Sequence, residues 1–178
     1  MIPLPLNWLS EVLGNPQSGT VQGDFIGIST DTRQTVAGTV FLALQGENTN
    51  GHRYLSTAVE KGAVGVVVTQ WQEGVSLPQW VVEDTLTALG VVARAYRERF
   101  EIPIIGITGS VGKTSTKEMI GAMVSAFVPT LISAKNYNNE IGVPQTLLQL
   151  APEHRVGVLE MGMRGAGQIA YLAQVARP

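Results

Sequence analysis

The hydrophobic positions of this chain change period from strand-like to helical and back several times. Apolar runs of strand length stand at Phe25–Ser29, Val40–Leu44, Val64–Thr69 and Trp80–Val82. Ahead of them a short helix is predicted over Trp8–Leu13, stopped by the turn Gly14-Asn15-Pro16. Between them, Tyr54–Lys61 reads as a helix with Leu55, Ala58 and Val59 on its apolar face and Gly62 at its C-terminal stop. From Asp84, which suits an N-cap, Leu86, Leu89, Ala93, Tyr96 and Phe100 recur at helical spacing to about Arg99. Arg94, Arg97 and Arg99 gather near the end of that helix, where they complement its dipole and read as a solvated terminus.

Beyond Pro103 strand and helix alternate. A strand begins at Ile104, and a helix over Lys113–Phe127 has Met119, Ile120, Met123, Val124 and Phe127 as its apolar face. Strand Thr130–Ser133, helix Pro144–Leu150, strand Val156–Glu160 and helix Gly167–Ala176 follow. Such alternation predicts a parallel sheet covered by helices, with ligands at the carboxyl ends of the strands. The expected fold class is α/β: a small mixed unit over residues 1–83, then the start of a P-loop parallel-sheet unit over residues 84–178. Open nucleotide-binding sheets usually have about five strands or more. The second unit therefore reads as incomplete and the chain as a fragment.

The strand from Ile104 ends in Thr108-Gly109-Ser110-Val111-Gly112-Lys113-Thr114-Ser115. Strand, glycine loop, Lys-Thr and helix are the parts of a phosphate-binding loop. Backbone N–H groups of the loop and helix N-terminus point at the anion, the lysine neutralises its charge, and the neighbouring hydroxyl can hold Mg²⁺. The common pattern places a further glycine where Ile107 stands, so this is a shortened form. Glu160 ends its strand and should emerge at the same edge, where an acidic residue can hold Mg²⁺. Taken alone, it fits a surface glutamate equally well. The amide-rich run Lys135–Pro144 suits either an inert Asx turn or a substrate-contacting loop. Its place after Thr130–Ser133, a strand expected to neighbour the phosphate-loop strand, favours contact.

Composition narrows the partners. Hydrophobic content of 44% against 15% charged residues describes an ordered globular protein, and a net charge of −2 gives no general reason to expect nucleic acid. Three of the four lysines, Lys113, Lys117 and Lys135, lie in the loop–helix segment or soon after it. The absence of cysteine excludes disulfides and thiolate chemistry and fits a cytoplasmic protein. The proline-broken N-terminus lacks the basic region of a signal peptide, and no apolar run approaches the roughly 20 residues of a membrane helix. The expectation is a soluble protein without membrane insertion, with a monomer favoured. Polar turns at Ser29–Arg33 and Gly46–His52 give no reason of their own to prefer function, and His52 and His154 do not make a metal site.

Several segments together resemble the ATP-dependent Mur ligases of peptidoglycan synthesis. They are TGSVGKTS at 108–115, KNYNNEIGVPQTLL at 135–148 and LEMGMRGAGQIAYL at 159–172. Residues 29–68 look like the N-terminal substrate domain of the same family. The asparagine loop and the Glu-Met-Gly-Met segment favour the MurF type over the MurE type, which adds the third peptide residue, and the substrate domain disfavours folylpolyglutamate synthetases. The resemblance implies that ATP activates the carboxylate of UDP-N-acetylmuramoyl-tripeptide as an acyl phosphate, which the amine of D-alanyl-D-alanine attacks. It implies that Lys113 grips the β/γ-phosphates, with Gly109, Ser110, Val111 and Gly112 as the cradle and Ser115 beside it. Thr114 and Glu160 would hold Mg²⁺, and Asn138 and Asn139 would lie where nucleotide and muramoyl substrate meet. Ser29, Asp31, Arg33, Gly46, Asn50, Gly51 and His52 align with the UDP-binding face. The family often has aspartate where Asn50 stands and threonine where Ser115 stands. Its carbamylated lysine, further Mg²⁺ ligands and C-terminal domain would lie beyond Pro178. The chain alone is therefore expected to lack ligase activity and to act as a module that binds the UDP substrate.

Overall fold

The computed structural model describes residues 1–17, 19–46 and 50–178. They form two compact units, Met1–Val92 and Ala93–Pro178. The part of the Gly46–His52 turn at positions 47–49 lies outside the described residues.

The first unit opens with strand β1 (Leu4–Pro5) and helix α1 (Leu6–Leu13). Strand β2 (Asp24–Phe25) pairs antiparallel with β1. Strands β3 (Gly27–Ser29) and β4 (Thr39–Leu42) follow, then a 3-10 turn at Gly51–Tyr54 and helix α2 (Leu55–Glu60). Strands β5 (Gly65–Val68) and β6 (Gln79–Val81) complete a parallel sheet in the order β3-β4-β5-β6. Every residue of β4 and β5 is buried, which is why both read as unbroken apolar runs instead of alternating ones. Phe41, Val66 and Val68 pack on one face with Leu55 and Ala58 of α2. On the other face the Trp80 indole N–H donates to Ser10 of α1 at 3.3 Å.

Two expectations for this unit need correction. The predicted strand Phe25–Ser29 is two strands in two sheets, divided at the half-exposed Ile26, whose N–H donates to Gly38 O at 2.9 Å. Helix α1 starts at Leu6, two residues before the predicted Trp8, because Leu6 and Leu9 together fill the core under it.

Helix α3 (Thr85–Arg97) crosses the boundary between the units. The Asp84 carboxylate accepts from Thr87 N–H at 2.6 Å, the cap expected there. The second unit continues with strand β7 (Ile104–Ile107), helix α4 (Lys113–Ser125) and strand β8 (Thr130–Ile132). Helix α5 (Gly142–Leu147), strand β9 (Val156–Glu160) and helix α6 (Gln168–Ala176) complete it. All three strands are parallel, as expected, but their order is β7-β9-β8. The strand beside the phosphate loop is thus β9 and not β8, contrary to the sequence expectation.

Three further readings change in this unit. Arg97 is not a solvated helix end: it is 9% exposed, and its guanidinium donates to Phe100 O, Ile102 O and Ala176 O. Helix α5 begins at Gly142 instead of Pro144, because Asn139 Oδ1 accepts from Gly142 N–H at 2.8 Å, and Pro144 sits in the first turn, where its missing N–H costs little. Helix α4 turns Lys117 and Gly121 to the sheet and leaves Met119 and Met123 exposed, as is Phe127 just past its end. The cause lies at the start of the helix. Thr114 must face the sheet edge to reach Glu160. Residues three and seven positions later then face the same way. A Cβ on Gly121 would meet Ile132 Cδ1 at 2.6 Å, so its absence lets α4 lie close on β8. Among the described residues, no helix is long and apolar enough to cross a membrane.

Candidate functional site

The loop between β7 and α4 sits at the carboxyl edge of the parallel sheet. Gly112, its last residue, has φ +78°, a conformation that side chains with a Cβ rarely adopt, and open space lies where a Cβ would be. The turn places Lys113 and Thr114 in the first turn of α4, where unpaired N–H groups and the helix dipole favour an anion. The Lys113 ammonium bends back across the loop and donates to Gly109 O at 2.7 Å.

The β7–β9 register pairs Ile107 with Glu160, which brings the carboxylate beside the loop. Glu160 is 5% exposed. Its Oε2 accepts from the Thr114 hydroxyl and its Oε1 from Asn138 Nδ2, both at 2.8 Å. Its N–H donates to the buried Ser133 hydroxyl at 3.0 Å. Residues from a helix, a loop and a strand end are thus locked into one cluster. The asparagine loop is tied to the same edge, since Gly162 N–H donates to Asn138 O at 2.7 Å.

This cluster borders a cleft of about 540 Å³ lined in part by Lys113, Asn136, Asn138, Glu140, Arg164 and Gln168. Asn139 lines the cleft too, although its side-chain oxygen is engaged at the start of α5. Arg164 and Gln168 escaped the sequence reading. Gln168 Oε1 accepts from the N–H groups of Arg164 at 2.6 Å and Gly165 at 3.0 Å, shaping the turn that puts Arg164 on the cleft wall. A glutamine four residues after arginine, across two glycines, was the only trace in the sequence.

The donor set suits a hard divalent cation: a hydroxyl and a carboxylate, oxygen only, side by side at a phosphate loop. Among the described residues no group of three His, Cys, Asp or Glu side chains could hold a metal. A cation here would therefore depend on phosphate oxygens and water for its remaining ligands, the usual habit of Mg²⁺.

In the first unit the predicted residues form two local groups. Ser29 donates to Asp31 O at 3.0 Å and shares a 2.9 Å hydrogen bond with Thr35. Arg33 grips the Asp31 carboxylate with Nε and Nη2, the shortest contact being 2.6 Å, and that hydrogen bonding holds the Asp31 carboxyl below its ordinary pKa. The second group is Asn50 and His52, with Gly51 between them. Asn50 Oδ1 faces His52 Nδ1 at 2.9 Å, while His52 Nε2 lies 3.0 Å from Thr69 N and 3.2 Å from its hydroxyl. Because a backbone N–H can only donate, Nε2 must accept, so the neutral ring carries its proton on Nδ1. Gly46 is exposed beside the undescribed residues.

Burial lowers the His52 pKa from its ordinary value of 6.5. Protonation at Nε2 would break the hydrogen bond from Thr69 N–H and oblige the Thr69 hydroxyl to turn from donor to acceptor. The neutral form's contribution to stability is therefore full above the unfolded-state pKa and is lost as pH falls through the lower folded-state value. Thermal melts between about pH 8 and about pH 5 should show a decline in stability that His52→Gln flattens. Identical slopes for the two proteins would remove His52 as the source.

Comparison with known proteins bears on both units. Residues 24–128 match the Mur ligase family, catalytic domain, and residues 107–178 match the Mur ligase middle domain. A UDP-N-acetylmuramoyl-tripeptide–D-alanyl-D-alanine ligase of Synechocystis is 52% identical over 85% of this chain and 34% of its own length. Crystal structure I of MurF from Acinetobacter baumannii superposes with a TM-score of 0.94 at 35% identity, covering 99% of this chain and 39% of that one. MurF ligase from Thermotoga maritima in complex with ADP gives a TM-score of 0.77 at 28% identity over 84% of this chain and 35% of that one. The chain thus spans about a third to two-fifths of the length of these relatives. Matching that family across residues 24–128, more than half of its 178 residues, the chain belongs to the Mur ligase family.

Proposed function

We propose that the chain is the N-terminal portion of a MurF-type ligase, which joins D-alanyl-D-alanine to UDP-N-acetylmuramoyl-tripeptide at the expense of ATP. In this reading residues 1–83 form the UDP-substrate domain and residues 84–178 begin the ATP-binding domain, and the protein works in the cytoplasm. The observation that carries it is the joining of Thr114, Asn138 and Glu160 at the mouth of the glycine loop. Those residues belong to the three separated segments that resemble Mur ligases, 108–115, 135–148 and 159–172, of which the last two favour the MurF type. The MurE-type reaction has no better support among these relatives.

The chemistry assigned to this chain is positioning and charge neutralisation. Loop N–H groups and Lys113 would hold the β/γ-phosphates. Thr114 and Glu160 would hold Mg²⁺, which offsets phosphate charge when bound. Asn138 and Arg164 face the cleft where the substrate's carboxylate would meet the nucleotide. Asp31 and Arg33 in one group, and Asn50 and His52 in the other, would present the first unit's loops to the UDP moiety.

Isothermal titration tests the reading. Mg·ATP should bind saturably and more weakly once EDTA removes the metal. UDP-N-acetylmuramoyl-tripeptide should bind whether or not ATP is present. Failure of the UDP substrate to bind, or mutual exclusion of the two ligands, would overturn the assignment.

A further inference from the structure

We propose that Lys117 is a positioning residue for the Mg²⁺–nucleotide site, acting through Ser133 to hold the Glu160 carboxylate and the asparagine loop in place. The proposal rests on the reading of Thr114 and Glu160 as the metal end of that site. Lys117 lies one turn beyond Thr114 on α4, and none of its side chain reaches solvent. Its ammonium donates to Ser133 O at 2.8 Å. Ser133 follows the last residue of β8 and opens the loop that carries Asn138. The Ser133 hydroxyl in turn accepts from Glu160 N–H at 3.0 Å. The ring closes through the Glu160 carboxylate, which accepts from Asn138 and from Thr114.

Helix α4 therefore grips the sheet edge twice, one turn apart. Thr114 takes hold of a side chain at the end of β9, and Lys117 takes hold of the backbone at the end of β8. The close approach of α4 to β8 at Gly121 keeps the second grip within reach. Burying an ammonium is costly, and an apolar side chain of the same length would fill the space at lower cost. What an apolar side chain could not supply is the bond to Ser133 O.

The charge is placed to suit the site. Glu118, half exposed, approaches the Lys117 ammonium at 2.8 Å and balances it. Lys117 is therefore neutralised locally and does not need the Glu160 carboxylate, which is left to Thr114, Asn138 and the cation. Without the Lys117 bond the buried Ser133 carbonyl loses its donor, and the end of β8 is free to draw away from α4. The Ser133 hydroxyl then leaves Glu160 N–H, and the carboxylate loses its fixed direction. Loop N–H groups and Lys113 are not part of this ring, so phosphate binding without metal should persist.

Lys117→Met, Lys117→Gln and Ser133→Ala test this in the chain with two readouts, amide hydrogen exchange and the factor by which Mg²⁺ tightens ATP binding. In Lys117→Met the Glu160 amide should exchange about tenfold faster while amides in the middle of β7 are unchanged. The Mg²⁺ factor should fall by about tenfold, with metal-free affinity kept within about threefold. Lys117→Gln, which retains an N–H donor, should recover part of both. Ser133→Ala should lose as much as Lys117→Met, and the double variant little more. A general loss of stability would speed exchange throughout β7 and β9 without selecting the metal factor. Unchanged Glu160 exchange in Lys117→Met overturns the positioning role. If that variant does not fold, an unchanged Mg²⁺ factor in Ser133→Ala overturns it. A wild-type chain whose ATP affinity ignores Mg²⁺ would instead overturn the metal reading on which the proposal rests.

Discussion

Lys113→Ala is expected to weaken ATP binding by about a hundredfold, corresponding to about 3 kcal/mol. The side chain stands at the first position of α4, behind a loop whose last glycine has a positive φ. From there its ammonium reaches across the loop to Gly109 O at 2.7 Å. Losing it removes a cation and leaves the loop's N–H groups to bind the anion alone. The side chain is partly exposed and, among the described residues, its hydrogen bond is to a backbone carbonyl, so thermal stability should change little. The defect should grow from AMP through ADP to ATP if, as proposed, the lysine holds the β/γ-phosphates. Titration of the three nucleotides checks this, and ATP affinity within about threefold of the unsubstituted chain would exclude Lys113 from phosphate binding.

Arg97→Ala should be the most damaging of these substitutions to the fold, costing about 3 kcal/mol or more. One guanidinium donates to Ala176 O at 3.1 Å, Phe100 O at 2.5 Å and Ile102 O at 2.8 Å. It thereby joins the end of α3, the turn into β7 and the last residue of α6. Removing it leaves these carbonyls short of a donor and opens a void in the fold. Arg97→Lys should recover less than half of the loss, because a point-like ammonium cannot address three directions as a planar fork does. Urea denaturation followed by circular dichroism measures both, and a midpoint for Arg97→Ala equal to wild type would refute the staple.

The two residues differ in how they could be read. Lys113 announces itself, because strand, glycine loop, lysine and helix are consecutive and each part is local. Arg97 gives no such signal. Its three acceptors include one 79 positions away, and only folding shows that α6 ends beside it. The same holds for α4. Its periodicity points to Met119, Met123 and Phe127 as the inner face, yet these are exposed and Lys117 is buried. The helix is rotated by the demand at its first turn, where Thr114 must meet Glu160, and that demand outweighs the apolar pattern. His52 is intermediate: its closeness to Asn50 is local, but its partner Thr69 comes from beyond β5.

By itself, the amino-acid sequence determined the α/β alternation, the phosphate loop, the acidic strand end and the resemblance to a family, because these depend on short-range spacing and local backbone preference. The tertiary structure alone decided that β9 inserts between β7 and β8. That insertion sets Glu160 opposite Ile107 and within reach of both Thr114 and Asn138. Strand order is chosen by how whole helices and strands pack, so no local pattern encodes it. The site takes its chemistry from the sequence and its convergence from that choice.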